Sequence, residues 1–126
     1  MAKTLLAVDD EKSILMIINF VFGKKYEVVQ KINAKEALEW MQQGNIPDVI
    51  IADMNMPELS GLEFIQQIRS SGFFRDIPLV MLSGNESTAD KIKCLKAGAD
   101  DYMVKPFNPE ELEARIENIF RRIKND

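Results

Sequence analysis

Histidine is absent from all 126 residues. That removes histidine general-base catalysis, imidazole metal ligation and any role as the histidine-bearing partner of a phosphorelay. Cysteine occurs once, at Cys94, so no intramolecular disulfide can form, and the residue reads as a small hydrophobe packed in a helix. Long apolar runs are missing too. The strongest, Val49-Ile50-Ile51-Ala52, is closed at each end by an aspartate, far short of the roughly 20 residues of a membrane span. The amino terminus meets Asp9 and Asp10 before a signal-peptide core could form. The expected setting is therefore cytoplasmic, away from membranes. Positive charge is the scarcer sign, with 16 Lys and Arg against 20 Asp and Glu for a net charge of −4. No overall field draws such a chain onto nucleic acid or acidic lipid.

What is present suits one soluble domain over residues 1–126, with 46% hydrophobic and 29% charged residues and no linker-like stretch. Short apolar runs alternate five times with longer segments of helical period, predicting strands at 5–8, 27–30, 49–52, 79–82 and 102–104. Helices are predicted near 12–22, 34–43, 61–71, 87–97 and 109–123, the last with a core-facing stripe of Leu112, Ile116, Ile119, Phe120 and Ile123. Gly23, Gly44, Gly72 and Gly98 fall where helices must stop. Asn33 with Glu36, Ser60 with Glu63 and Asn108 with Glu111 place a capping side chain three residues before a carboxylate that can reach back. Repeated strand-then-helix units imply a doubly wound α/β fold around a parallel sheet, because right-handed helical crossovers return each strand in the same direction.

Parallel strands bring their carboxyl ends to one edge, where ligands bind. Asp9 and Asp10 follow the first strand, Asp53 the third, Ser83 the fourth and Lys105 the fifth. Three carboxylates against one ammonium leave two negative charges, and such carboxylates resist ionising together unless a cation joins them. An all-oxygen set free of thiol and imidazole suits a hard divalent ion, with Mg²⁺ the expected one. The edge thus reads as a metal-dependent phosphate site.

These residues also carry a likeness: Ala7-Val8-Asp9-Asp10-Glu11, Asp53-Met54-Asn55-Met56-Pro57 with Gly61, Leu82-Ser83-Gly84, and Val104-Lys105-Pro106-Phe107. Together, in order and over essentially the whole chain, they resemble response-regulator receiver domains of two-component systems. The resemblance implies a flavodoxin-like five-stranded sheet in the order 2-1-3-4-5. It implies Asp53 as phosphoacceptor, Asp9, Asp10, Asp53 and the Asn55 backbone carbonyl around Mg²⁺, and Ser83 and Lys105 as partners of the phosphoryl oxygens. It implies a cis Lys105–Pro106 peptide, and positions Asn55 and Asn85 as ones that influence how fast the acyl phosphate hydrolyses. A sensor histidine kinase, a phosphotransfer protein or a small phosphodonor would be the donor. Output would run through Ser83 and through Tyr102, whose ring is expected to move inward. The fourth helix, fifth strand and fifth helix would then meet a downstream partner or, as one outcome, a second copy. On this likeness the chain is a signalling protein with only its own autophosphorylation and autodephosphorylation chemistry, not a turnover enzyme.

Taken singly, each residue has a plainer reading. Asp9 and Asp10 complement the dipole of the first helix, Asp53 suits a turn, Ser83 is a loop hydroxyl and Lys105 a solvated charge. Tyr102 is then a half-buried ring, and Arg121, Arg122 and Lys124 a cluster at a helix end. Convergence on one edge is what favours the joint reading. Two other functions compete. A haloacid-dehalogenase-like phosphohydrolase also pairs Asp with magnesium, but needs Asp-x-Asp where this chain has Asn55. A non-phosphorylated interaction module needs none of the acidic, hydroxyl and lysine positions that are filled here.

Overall fold

In a computed structural model, residues 2–84 and 86–124 are described; Asn85 lies outside them. Five strands and five helices alternate: β1 (Lys3–Val8), α1 (Lys12–Phe22), β2 (Tyr26–Lys31), α2 (Ala34–Gln42), β3 (Val49–Asp53), α3 (Gly61–Ser70), β4 (Leu79–Ser83), α4 (Thr88–Ala97), β5 (Asp101–Val104) and α5 (Pro109–Lys124). All four strand pairings are parallel, in the order β2-β1-β3-β4-β5. No helix among the described residues is long and apolar enough to cross a membrane.

Period-two alternation sorts the central strands onto two cores. Leu6, Val8, Ile50, Ala52, Leu79 and Met81 face α2, α3 and α4, represented by Met41, Phe64, Ile65, Ile68 and Cys94. Leu5, Ala7, Val49, Ile51, Val80 and Leu82 face α1 and α5, represented by Leu15, Ile18, Phe22, Leu112, Ile116 and Ile119. β3 and β4 are buried on both faces, which explains why they read as unbroken apolar runs. Cys94 is a buried free thiol in the first core.

Helix starts follow the capping chemistry unevenly. Ser60 and Glu63 form the complete reciprocal box. Asn33 accepts from the Glu36 amide at 2.8 Å, but Glu36 returns to the Asn33 side chain, not to its backbone. Asn108 Oδ1 accepts from the amides of both Glu110 and Glu111.

Several expectations shift. Gly44 and Gly98 take positive φ after α2 and α4, yet Gly23 closes α1 at φ −63°, still donating to the Asn19 carbonyl, and the α3 cap is Ser71, ahead of Gly72. Among the described residues of α5, Leu112, Ile116 and Ile119 are buried, whereas Ile123 is half exposed.

Candidate functional site

Strand register builds the site. Val8, Ala52, Met81 and Tyr102 lie side by side across the sheet, and the polar residues begin one step further on. Asp53 still belongs to β3, paired with Leu82, and Ser83 still belongs to β4, paired with Val104. The ladder then runs one bond beyond the strands: Asp9 N–H donates to Lys31, Met54 N–H to Leu82 and Lys105 N–H to Ser83. By alternation Asp9, Asp53 and Lys105 follow Ala7, Ile51 and Met103 onto the α1/α5 side, whereas Ser83 follows Met81 onto the other.

The structure brings Asp9, Asp53 and Lys105 together. Asp9 is 1% and Asp53 4% exposed. Lys105 Nζ stands 2.8 Å from Asp9 Oδ2, 3.1 Å from Glu11 Oε1 and 3.3 Å from Asp53 Oδ1. Asp10 is exposed, yet carboxylate oxygens of Asp9, Asp10, Glu11 and Asp53 lie within 4.8 Å of one another. Asn55 is exposed on the loop after β3, and its backbone amide favours the charged form of Asp53. Ser83 is fully buried at the end of β4. The Lys105–Pro106 peptide is cis.

Burial is the main cause that raises Asp53 to about 6, Asp9 adds to it, and Lys105 and the Asn55 amide oppose it. Asp9 is raised as well, first by burial, against the pull of Lys105 and the Glu11 amide. Burial alone would lower Lys105, but its ties to Asp9, Glu11 and Asp53 outweigh that and raise it. One further observation bears on a cation. Asp9 Oδ1 accepts from the Glu11 amide at 2.9 Å, while Asp9 Oδ2 is buried with no hydrogen bond among the described residues beyond its 2.8 Å ion pair with Lys105. A buried carboxylate oxygen left this way is costly by itself. Together with the other oxygens it fits a hard divalent ion.

Tyr102 sits on the face of the sheet opposite Asp53. Its ring is already inward, 5% exposed and packed in the core with Val8, Ala52 and Met81, because its register places it on the face that α4 covers. Behind the site, Gly61 opens α3 against the loop that follows β3. A Cβ there would meet the Asp53 carbonyl oxygen at 2.4 Å and the Met54 Cα at 2.7 Å, and the Gly61 amide donates to the Met54 carbonyl at 2.8 Å. Gly61→Ala is expected to lower stability by about 1–3 kcal/mol, the usual scale of overpacking. Urea unfolding checks it, and a loss under about 0.5 kcal/mol would show the loop yielding freely.

The model of the response regulator receiver domain family matches residues 5–117. The chain belongs to that family. Among curated relatives, this receiver is similar to the protein named "Probable transcriptional regulator ycf27" of Cyanophora paradoxa, 43% identical over 98% of this chain and 50% of the relative. It is also similar to the phosphate regulon transcriptional regulatory protein PhoB of Escherichia coli, 38% identical over 98% of this chain and 54% of the relative. The chain thus spans about half the length of these curated relatives. Among solved structures, the chemotaxis response regulator CheY4 of Vibrio cholerae aligns at a TM-score of 0.87 with 34% identity, covering 94% of this chain and 99% of that one. The Francisella response regulator 1452 receiver domain aligns at 0.87 with 34% identity, covering 96% and 98%. The family places the protein in two-component signalling as a receiver rather than a turnover enzyme. Sequence reading assigned no role to Glu11 and none to Arg69, although Glu11 stood inside the acidic motif.

Proposed function

We propose that this receiver takes a phosphoryl group onto Asp53. The observation that carries the reading is Asp53 itself: a buried carboxylate at a strand end, crowded by Asp9 and faced by Lys105 at 3.3 Å. In the transfer an Asp53 carboxylate oxygen attacks phosphorus, an O–P bond forms, and the donor's P–N or P–O bond breaks with its electron pair leaving on the donor. The product is a mixed anhydride that water later cleaves, restoring the carboxylate.

Phosphoryl transfer spreads charge over three equatorial oxygens, so fixed positive charge and positioning do most of the catalysis. Lys105 is aimed at Asp53 and supplies one such charge to a phosphoryl oxygen. Ser83, at the end of the neighbouring strand, supplies a hydroxyl to another. Asp9, Asp10, Asp53 and the Asn55 carbonyl would hold Mg²⁺, which when bound neutralises the carboxylates and stabilises the charge on the phosphoryl oxygens. The phosphoryl donor is a histidine kinase, a phosphotransfer protein or a small phosphodonor.

Output is assigned to the face of α4, β5 and α5. A new dianion is a strong acceptor for the Ser83 hydroxyl, and Ser83 is paired with Val104, two residues from Tyr102. The inward Tyr102 ring then holds the α4 side in the signalling state, read by a downstream partner or a second copy. Residues 1–126 act as one receiver unit, in a cytoplasmic setting.

The deciding experiment is intact mass spectrometry after acetyl phosphate with magnesium. Wild type should gain one phosphoryl group and Asp53→Asn none. Equal labelling of the two would place the phosphoacceptor elsewhere.

A further inference from the structure

Glu11 occupies the cap position of α1, where Ser, Thr, Asp or Asn usually bonds the first-turn amides. Its side chain makes no such bond. Asp9 serves the turn instead, accepting from the Glu11 amide at 2.9 Å, and the Glu11 carboxylate reaches across the sheet edge to Lys105 at 3.1 Å. Lys105 therefore carries three carboxylates, Asp9, Glu11 and Asp53, and an ammonium has three donors in all.

A phosphoryl oxygen arriving at Lys105 competes with these three carboxylates for the ammonium. Asp9 and Asp53 are buried, and Asp9 is held by the Glu11 amide. Glu11 is different: its side chain is 57% exposed, so its carboxylate can return to water at little cost. We propose that Glu11 is a positioning residue acting through Lys105, an exchangeable counterion that the incoming phosphoryl group displaces. This rests on the reading of Asp53 as phosphoacceptor. Glu11 consequently opposes the phosphorylated state, while its negative charge assists cation binding among the neighbouring carboxylates.

Those two effects separate by substitution. Glu11→Gln removes the charge and the ion pair. Glu11→Asp keeps the charge but is one methylene too short to hold Lys105. Trifluoroberyllate, a phosphoryl mimic, is titrated at saturating magnesium, and magnesium alone is titrated by calorimetry. Both variants should bind trifluoroberyllate about two- to fivefold more tightly than wild type, the scale of an exposed ion pair. Glu11→Gln should bind magnesium about two- to fivefold more weakly, whereas Glu11→Asp should match wild type. A structural role for Glu11 would move both affinities the same way. If wild type binds trifluoroberyllate and neither variant binds it more tightly, the exchange proposal is overturned. If wild type fails to bind it, the phosphoacceptor reading has failed first.

Discussion

Asp53→Asn should make the metal-free protein more stable at pH 7.5, by about 2–3 kcal/mol in urea unfolding. The cause is the position of the carboxylate. Folding moves Asp53 from water into a buried pocket beside Asp9, and its ordinary value of 3.8 rises to about 6 despite Lys105. The folded protein therefore holds the Asp53 proton more tightly than the unfolded chain does. Unfolding releases that proton between about pH 4 and 6, so the contribution of Asp53 to stability falls as pH rises through this window. Above it the full cost of the ionised group remains. Below it Asp53 is protonated in both states, and wild type and variant should converge.

A profile of the stability difference against pH gives the direct check: near zero at pH 3.5, rising to a plateau by about pH 7. A difference of opposite sign at pH 7.5 would mean that Lys105 outweighs burial, and that Asp53 is a structural ion-pair partner. Magnesium should shrink the gap, because a cation bound among Asp9, Asp10 and Asp53 offsets the same repulsion. Salt at equal ionic strength without a divalent ion should leave most of it, since buried charges are weakly screened. A group that destabilises its own fold is a sign of chemistry rather than architecture.

Much of this was legible in the sequence because two periodicities and the polar punctuation agree. Each of the ten elements was located to within about two residues, and strand parallelism alone predicted that Asp9, Asp53, Ser83 and Lys105 would share an edge. The misses share a physical cause, namely that they depend on long-range packing. Ile123 continues the helical stripe of α5, yet helical period does not say which positions of the stripe find packing partners. Glu11 carried no assignment, since nothing local reveals a lysine 94 residues away.

Arg69 is the extreme case, and its removal should have the second large effect. On the outer part of α3 it reads as an ordinary last-turn cation. In the fold its guanidinium donates to the carbonyls of Gly98 at 2.9 Å, Arg75 at 2.9 Å and Ile77 at 2.6 Å, and meets Asp100 Oδ2 at 3.2 Å. Asp100 in turn accepts from the Leu79 amide at 2.8 Å. One side chain thus ties the end of α3 to the start of β4 and to the turn between α4 and β5. These are the roots of the two strands that carry Ser83 and Lys105 to the opposite edge. Arg69→Met keeps the apolar stem but leaves three carbonyls without their donor, and should cost about 2–4 kcal/mol. Arg69→Lys should recover less than half, because a single ammonium cannot reproduce the planar fork. Amide exchange in Arg69→Met should accelerate most at Leu79 and around Gly98–Asp100, with the β1 and β3 amides least affected. Uniform acceleration throughout the sheet would instead mean that Arg69 supports global stability without pinning this corner. If that corner is pinned as described, loosening it frees α4 and β5 without touching the acidic pocket, so the variant should still accept a phosphoryl group at Asp53 while transmitting it less sharply.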